Sequence, residues 1–351
     1  MNKEPVRPRV AIATGDTRED AVRNALALVR DELLDTIEGT VIVKPNFLSS
    51  VNPLAATQAG AVRPVLELLR DADTDRVCIA EGGSRSTPQA LDNFGYRGLA
   101  GNFDIEFVDL NRGSFSRSFE IITAGREVQE VDYADFAAEA DTIISVAVAK
   151  THDTAGVTLS VKNMMGCLRR VHRPRMHGFK IGDSISSLAE FFWNTIEGHP
   201  FVIRSFSGVV FTVARMKRAH VGHGGLGLLR HVGAMSENIA RLGRVLMPDI
   251  AVIDAFEAME GDGPGSAGTP VDMRVAVAGT DAVACDAVMA YMMGFDPSAI
   301  GYITLLGERG LGVADLNAID IAGESPERLR RNFKPHINFP IQQRWREAWS
   351  S

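Results

Sequence analysis

Cysteine is scarce in this sequence, and that scarcity excludes several kinds of site. The 351 residues include three cysteines, Cys78, Cys167 and Cys285, which stand far apart and form no Cys-x-x-Cys pair. Iron–sulfur clusters, cysteine-based zinc sites and disulfide frameworks all need several suitably spaced cysteines. We therefore expect no iron–sulfur cluster, and we expect Cys78, which lies in a strand pattern, to be a buried thiol.

Long apolar runs and an excess of positive charge are also missing. No apolar stretch is long enough to span a membrane, and the first residues contain no run of signal-peptide length. The 37 Lys and Arg against 44 Asp and Glu give a net charge of −7, whereas nucleic-acid and anionic-membrane binders depend on clustered basic residues. We expect a cytoplasmic protein without a nucleic-acid or membrane partner, and leave a homo-oligomer open. A small anionic substrate is compatible, because local charge in a cleft matters more than the total.

Short apolar runs alternate with amphipathic stretches along most of the chain. Strands are predicted at "RVAIAT", "TVIVKPN", "RVCIAEGG", "DIEFVDL", "DTIISVAVA", "DIAVIDAF" and "RVAVAG". This alternation is typical of an α/β protein with a mostly parallel sheet and helices on both faces. Residues 114–131 are predicted to form an inserted antiparallel hairpin, and the Gly- and Pro-rich "EGDGPG" a turn.

Two closely packed lobes are predicted. The first is an N-terminal α/β lobe at residues 1–167, and the second a C-terminal α/β lobe at residues 168–351. The second begins with a middle segment rich in Arg, His and Gly, and no low-complexity linker separates the two.

Ionisable residues follow four of the predicted strands. Ligands of open α/β sheets bind outside the carboxyl ends of the strands, where these side chains converge. The residues predicted to bind substrate there are Lys44, Asn46, Ser84, Arg85, Lys150 and Asp262.

Two of these strand ends also have simpler interpretations. Lys44–Pro45–Asn46 is equally a strand cap, and "EGGSR" is either a tight turn or a cradle for an anion. The latter is neither G-x-G-x-x-G nor a P-loop, so no motif indicates NAD or ATP.

A helix is predicted from about residue 159, with a core stripe formed by Val161, Met164, Met165 and Leu168. Lys162 lies at the edge of that stripe beside Gly166. A partly desolvated lysine has a lowered pKa and serves as a base or nucleophile, whereas a lysine that extends to solvent does neither. The predicted catalytic residues are His152 and Lys162 as general acid or base, Asn163 as an orienting group, and Glu260.

Histidines in the middle segment leave a metal site open. His220, His223 and His231 suggest metal ligands, although their spacing fits no strong template. His172 and His177 lie in an Arg-rich run that is either a solvated loop or a cover over an anionic substrate.

Several motifs together resemble the domain-of-unknown-function family 362. "VIVKPNF", "AEGGSR", "AKTH…LSVKNMMG", "IDAFEAMEGDGPGSAGTP" and "GTDAVACDAVMAYMMGFDP" follow in that family's order across roughly residues 40–320. Many members carry a ferredoxin-like cluster segment, whose cysteines this chain lacks.

A fainter similarity reaches the nickel-pincer lactate racemases. In those enzymes a lysine tethers the cofactor and histidines serve the metal and the proton transfer, and His152 and Lys162 match their spacing. "KPNF" stands where that family has D-x-T-R-P, and Asn163 replaces the residue expected after the lysine. The similarity therefore implies a shared fold and site location, and not the nickel cofactor.

The sequence thus predicts an α/β enzyme acting on a small carboxylate or phosphate. The expected reaction is proton or hydride transfer, as in an isomerase, a racemase or an oxidoreductase, with the cofactor unknown. Two alternatives stay open: a metal-assisted hydrolase or lyase using Glu260 and Asp262, and a non-enzymatic protein that binds a cofactor or metallocluster.

Overall fold

The strands were located in a computed structural model that describes residues 7–182 and 225–350. Most of them coincide with the apolar runs of the sequence. Their bounds are β1 Arg9–Thr14, β2 Gly39–Lys44, β3 Thr74–Glu81, β4 Glu106–Asp109, β5 Arg117–Ile122, β6 Val128–Tyr133, β7 Thr142–His152, β8 Gly156–Thr158, β9 Ile250–Asp262, β10 Ala267–Gly279 and β11 Asp320–Gly323.

Helices connect these strands. Their bounds are α1 Arg18–Leu28, α2 Arg30–Leu34, α3 Ala59–Leu69, α4 Thr87–Asn93, α5 Asp135–Ala138, α6 Ser160–Asn163, α7 Arg173–Met176, α8 Gly225–Gly243, α9 Ala282–Met292, α10 Gly301–Glu308, α11 Pro326–Leu329 and α12 Phe339–Gln342. Short 3₁₀ turns lie at Pro53–Ala55, Tyr96–Leu99, Leu110–Arg112, Met164–Cys167, Arg170–His172, Pro297–Ala299, Leu316–Ala318 and Trp345–Trp349.

Nine of the described strands form one mostly parallel sheet, as the sequence predicts. Its order is β11-β1-β10-β9-β7-β2-β3-β4, with β8 paired to β7. The strands β9, β7, β2, β3 and β4 run parallel to one another. The remaining two, β5 and β6, form the predicted antiparallel hairpin. Strands from both predicted lobes share the large sheet, and the lobe boundary after residue 167 stays a prediction.

Helices cover both faces of the sheet, also as predicted. Consecutive side chains of a strand point to opposite faces, so Val41 and Val43 of β2 join one core while Ile42 joins the other. The first core contains apolar residues of α1, α3 and α4, and the second contains those of α6, α8 and α9. Both faces of the central strands are therefore buried, which explains their unbroken apolar runs.

The segment around "EGDGPGSAGTP" corrects one expectation. We predicted a turn over its first half; the turn lies at residues 263–266, whereas β9 continues to Asp262 and β10 begins at Ala267, in antiparallel register with Asp262 opposite Ala267. A connection this short forces its two strands to be antiparallel. The first six residues of β10, 267–272, are exposed or partly exposed. Their sequence therefore lacks the apolar alternation that indicates a strand.

The strand β7 is also longer than predicted. It was expected to end at Ala149, but it continues through Lys150 and Thr151 to His152, and its last residues pair with β8. The residues predicted to follow the strand are therefore held within it, where the backbone fixes the direction of each side chain. Within the described residues, no helix is both long and apolar enough to cross a membrane.

Candidate functional site

The last residues of β2 and β3, two neighbouring parallel strands, form a buried ion pair. Lys44 Nζ lies 2.5 Å from Glu81 Oε2, and the two residues are 0% and 3% exposed. The other carboxylate oxygen of Glu81 accepts a hydrogen bond from the backbone N–H of Phe47 at 3.3 Å. Glu81 thus supplies the carboxylate that neutralises Lys44 in a place water does not reach.

Two asparagine side chains connect this ion pair to β7. Asn163 donates to the Lys44 carbonyl at 3.1 Å and to Ser145 Oγ at 3.0 Å. Its own Oδ1 accepts from Asn46 Nδ2 at 2.9 Å and from Lys44 Nζ at 3.3 Å. Asn46 Oδ1 in turn accepts from Lys150 Nζ. We call Lys44, Asn46, Glu81, Lys150 and Asn163 the lysine cluster.

Lys150 differs from Lys44 in its partners. It is 1% exposed, and its amine donates to two uncharged oxygens, Asn46 Oδ1 and the Ala55 carbonyl, the latter at 3.2 Å. The described part of the chain places no carboxylate within ion-pair distance of this amine. Burial lowers the pKa of Lys150 well below its ordinary value; the charge of Lys162 and, less strongly, that of Lys44 lower it further, while Glu81 opposes the shift.

Lys162 lies on α6, close enough to Lys150 for their charges to interact. The predicted helix from residue 159 is shorter than expected: α6 ends at Asn163, and a 3₁₀ turn follows. The predicted apolar stripe is confirmed as core, and Lys162 is itself only 8% exposed. The structure therefore contradicts the alternative of a lysine extended to solvent.

A buried carboxyl group holds the beginning of α6. Asp286 of α9 accepts hydrogen bonds from the backbone N–H groups of Ser160 at 2.8 Å and Val161 at 3.2 Å, and from the Tyr302 hydroxyl at 2.9 Å. Burial raises the pKa of Asp286 to about 7, although all three hydrogen bonds favour the ionised form. This residue was not singled out from the sequence, and it fixes the segment that carries Lys162 and Asn163.

Arg173 provides a further, partly buried cation beside Glu81. Its guanidinium donates to Asn111 Oδ1 at 2.8 Å and to the carbonyls of Gly166 and Leu168 at 3.1 and 2.9 Å. Burial lowers the pKa of Arg173 to about 10, and the charge of Glu81 opposes this. Within the Arg-rich run, nothing in the sequence distinguishes this arginine from its neighbours.

Ser84 and Arg85 lie in the loop between β3 and α4, and both are partly exposed. The backbone N–H of Ser84 donates to the Phe47 carbonyl at 3.0 Å, which joins this loop to the one after β2. Their predicted role in substrate binding stays a prediction.

His152 is 3% exposed at the end of β7. Its Nδ1 accepts from the backbone N–H groups of Thr154 and Ala155 at 3.0 and 3.1 Å, so the ring proton of the neutral form lies on Nε2. The ring stacks on His177, with centroids 5.6 Å apart. This arrangement equips His152 to donate a proton from Nε2.

Glu260 and Asp262 bind the C-terminal segment. Glu260 accepts from the backbone N–H of Lys334 at 2.8 Å, and Asp262 from that of Ile337 at 3.2 Å. We expected these carboxylates near the lysines; within the described residues neither forms an ion pair with a lysine, and the carboxylate paired with Lys44 is that of Glu81. Their catalytic and binding roles stay predictions.

Metal ligation is not indicated by the side chains that the structure describes. Residues 7–182 and 225–350 contain no grouping of three or more His, Cys, Asp or Glu arranged to hold a metal ion. Of the three histidines considered, His220 and His223 lie outside the described residues, and His231 contacts the His177 carbonyl at 2.7 Å. Cys78, Cys167 and Cys285 are all buried, and burial raises the pKa of the Cys167 thiol to about 12.

Gly166 should tolerate no side chain, because a Cβ there would lie well inside van der Waals contact of both Glu81 carboxylate oxygens. We expect Gly166→Ala to lower the free energy of unfolding by about 1–3 kcal/mol, the usual range for overpacking. Urea denaturation measures this. Gly60→Ala is the matched control, since nothing lies within 4 Å of a Cβ at that position of α3 and its stability should hold or rise slightly. Equal stability of the two variants would contradict the close packing of Gly166 on Glu81.

Three known proteins show what this chain is similar to. A thylakoid-associated protein of Synechocystis sp. is 22% identical over 278 residues, which cover 78% of this chain and 68% of that protein. The lactate racemase apoprotein of Thermoanaerobacterium thermosaccharolyticum matches 48% of this chain with a TM-score of 0.32 and 18% identity. A Thermotoga maritima protein solved by a structural genomics consortium matches 73% of the chain with a TM-score of 0.35 and 12% identity. The matched regions span 40% and 54% of those two structures.

The family described as "Domain of unknown function (DUF362)" matches residues 41–291. That range begins in β2 and ends in α9, so it includes every residue of the lysine cluster together with Lys162 and Asp286. The chain belongs to the DUF362 family.

Proposed function

We propose that this chain is an enzyme that binds a small carboxylate or phosphate at the lysine cluster and transfers a proton at a carbon next to a carboxylate. The reaction class is that of an isomerase or racemase. One observation carries the proposal: the amines of Lys44 and Lys150 lie in a buried place near Lys162, and among the described residues Glu81 pairs with Lys44 while no carboxylate lies within ion-pair distance of Lys150. An excess of buried positive charge is unfavourable unless an anion joins it or an amine loses its proton.

The polar groups of the lysine cluster are suited both to binding an anion and to placing it for proton transfer. Asn46 is the partly exposed member, and its amide touches both Lys150 and Asn163, so an anion arriving from solvent meets it first. In the proposed mechanism Lys44, Asn46 and Lys150 hold the anion, with Ser84 and Arg85 at the rim. Asn163 orients the Lys44 amine.

Lys162 and His152 are the proposed acid and base. The positive charge of one amine favours loss of a proton from a neighbouring amine, so a proton can be held or released within this group. His152 keeps its proton on Nε2 because its Nδ1 accepts two backbone hydrogen bonds, and this suits it to return a proton. The cytoplasmic location and the absence of a nucleic-acid partner stay predictions.

Replacement of Lys162 tests the proposal. We expect the wild-type protein to exchange a carbon-bound hydrogen for deuterium in at least one member of a panel of hydroxy and amino acids in D₂O, followed by NMR. Lys162→Ala should abolish this exchange and leave the melting temperature nearly unchanged, because it removes one of several buried like charges.

Lys180→Ala is the control, since Lys180 is exposed and paired with Glu127, and its exchange rate should match the wild type. A large loss of stability in Lys162→Ala with exchange retained would make Lys162 a structural residue. No exchange with any acid of the panel would argue against proton transfer.

A further inference from the structure

We propose that the Lys150 amine is a nucleophile that forms a Schiff base with the carbonyl group of a small 2-oxo acid. The inference rests on the anion site of the proposed function, and goes beyond it by naming the substrate class and a covalent step. It does not depend on which residue later moves a proton.

The hydrogen bonds of Lys150 fit a neutral amine. A neutral –NH₂ group has two N–H bonds and one lone pair, and Lys150 donates to two acceptors, Asn46 Oδ1 and the Ala55 carbonyl. Both acceptors are uncharged, whereas Lys44 has its carboxylate at 2.5 Å. With both N–H bonds engaged, the lone pair of Lys150 remains available for attack on a carbonyl carbon.

The neighbours of Lys150 strengthen this assignment. The positive charge of Lys162 acts on Lys150 directly, and a second cation beside a lysine is one of the known ways to keep that lysine unprotonated. Burial at 1% exposure acts in the same direction. After the imine forms, Lys44 and Lys162 are the cations that would face the carboxylate of the oxo acid.

The distribution of lysine in the sequence also supports a nucleophilic role for Lys150. The chain contains thirty arginines and seven lysines, and three of those seven lysines, Lys44, Lys150 and Lys162, meet at this site. Arginine binds carboxylates in two-pronged geometry and is the better residue for holding an anion alone. An amine does what a guanidinium does not: it loses its proton and attacks carbon.

The covalent step balances without an oxidant or reductant. The nitrogen lone pair forms a bond to the carbonyl carbon, and the C=O π electrons move to oxygen, which takes a proton to give a carbinolamine. The hydroxyl group then leaves as water, with a proton from a neighbouring ammonium group, while the nitrogen, which gave one proton to that oxygen, keeps its other proton and forms the C=N bond of an iminium ion. The positive charge on this nitrogen makes the C–H bonds on the next carbon acidic, which joins this step to the proton transfer proposed above.

Trapping with pyruvate tests the inference directly. The purified full chain is incubated with pyruvate and sodium borohydride, digested, and mapped by mass spectrometry. We expect one adduct on Lys150, with the mass of pyruvic acid less one oxygen atom, because hydride reduces the imine to a stable secondary amine. The exposed Lys180 should stay unmodified, since its amine is paired with the Glu127 carboxylate and lies outside the proposed anion site. A wild-type protein without an adduct on Lys150, or with equal labelling of Lys180, overturns the proposal.

Two variants separate this inference from the anion site itself. Lys150→Arg keeps N–H donors at this position and forms no imine, so it should retain binding of lactate, which has no carbonyl group beside its carboxylate, and lose the adduct. Lys150→Met should lose both, with circular dichroism confirming that it folds. Lactate binding in the wild type without any adduct would sustain the anion site and refute the nucleophile. An adduct formed without lactate binding would refute the anion site instead.

Discussion

Replacing Glu81 by glutamine should lower the free energy of unfolding by about 3–5 kcal/mol, because the change leaves a buried charge without its partner. Lys44 is 0% exposed and its Nζ lies 2.5 Å from Glu81 Oε2. Glutamine keeps the size of the side chain and an oxygen to accept from the Phe47 N–H, so the variant removes charge and little else. Urea denaturation at neutral pH gives the difference.

The loss should be larger for Glu81→Gln than for Lys44→Met. The carboxylate of Glu81 pairs with Lys44 and also acts on Lys150 and Arg173, so its replacement removes a favourable charge from all three groups. Removal of Lys44 leaves the charge of Glu81 beside Lys150 and Arg173. The double variant should recover part of the loss, since both ends of the ion pair are gone.

An exposed pair on the neighbouring strands provides the control. Arg76 and Glu106 also lie 2.5 Å apart, but their side chains are 43% and 56% exposed. Water screens such a pair, so Glu106→Gln should leave the melting temperature nearly unchanged. If Glu81→Gln were as mild as Glu106→Gln, the Lys44–Glu81 pair would not be the charge balance of this site.

The sequence predicted the sheet well because apolar runs of buried parallel strands are long and unbroken. It also predicted Lys44 and Lys150, since the carboxyl ends of parallel strands meet at one edge. It did not single out Glu81, the carboxylate that pairs with Lys44. Glu81 and Glu260 both follow apolar strands, but β9 runs on past Glu260 and carries it to the C-terminal segment.

The contacts that select Glu81 come from parts of the chain that strand patterns do not connect. Glu81 reaches Lys44 because β2 pairs with β3, and because Gly166, far along the sequence, has no side chain in the way. The sequence did not distinguish Arg173 from the arginines next to it. Asp286 did leave a signal, since it is the one acidic residue within the apolar helix Ala282–Met292. A single carboxyl group on a buried helix needs hydrogen-bond donors. Here two of those donors are backbone N–H groups at the start of α6, the helix that carries Lys162 and Asn163.

Asp286 should make the stability of the protein depend on pH in an unusual direction. Its pKa is about 7 in the folded chain against an ordinary value of 3.8, so folding takes up a proton between those pH values. Stability from this group is therefore present at pH 4 and is lost as the pH rises toward 7, with a slope of up to about 1.4 kcal/mol per pH unit. Above pH 7 the folded protein holds a buried carboxylate.

The test compares the wild type with Asp286→Asn by urea denaturation from pH 4 to pH 8. The amide is neutral at every pH, and it has one oxygen to accept from the Ser160 N–H and an N–H group to face the Tyr302 hydroxyl; the Val161 N–H loses its acceptor, a cost that is the same at every pH. The variant should therefore gain stability relative to the wild type as the pH rises, by on the order of 4 kcal/mol across the range. Taking this difference removes the contributions of Asp249, Asp254 and Asp281, whose pKa values burial also raises.

Tyr302→Phe provides a directional check on the same group. The Tyr302 hydroxyl donates to Asp286 and lowers its pKa, so removal of that hydroxyl should raise the pKa and move the pH-dependent window upward. A variant that loses stability equally at all pH values would show that the hydroxyl acts only in packing.

Because Asp286 holds the N–H groups of Ser160 and Val161, its proton also affects α6, and with it Lys162 and Asn163. Any activity of the lysine cluster should therefore respond to the ionisation of a carboxyl group that does not itself touch the substrate.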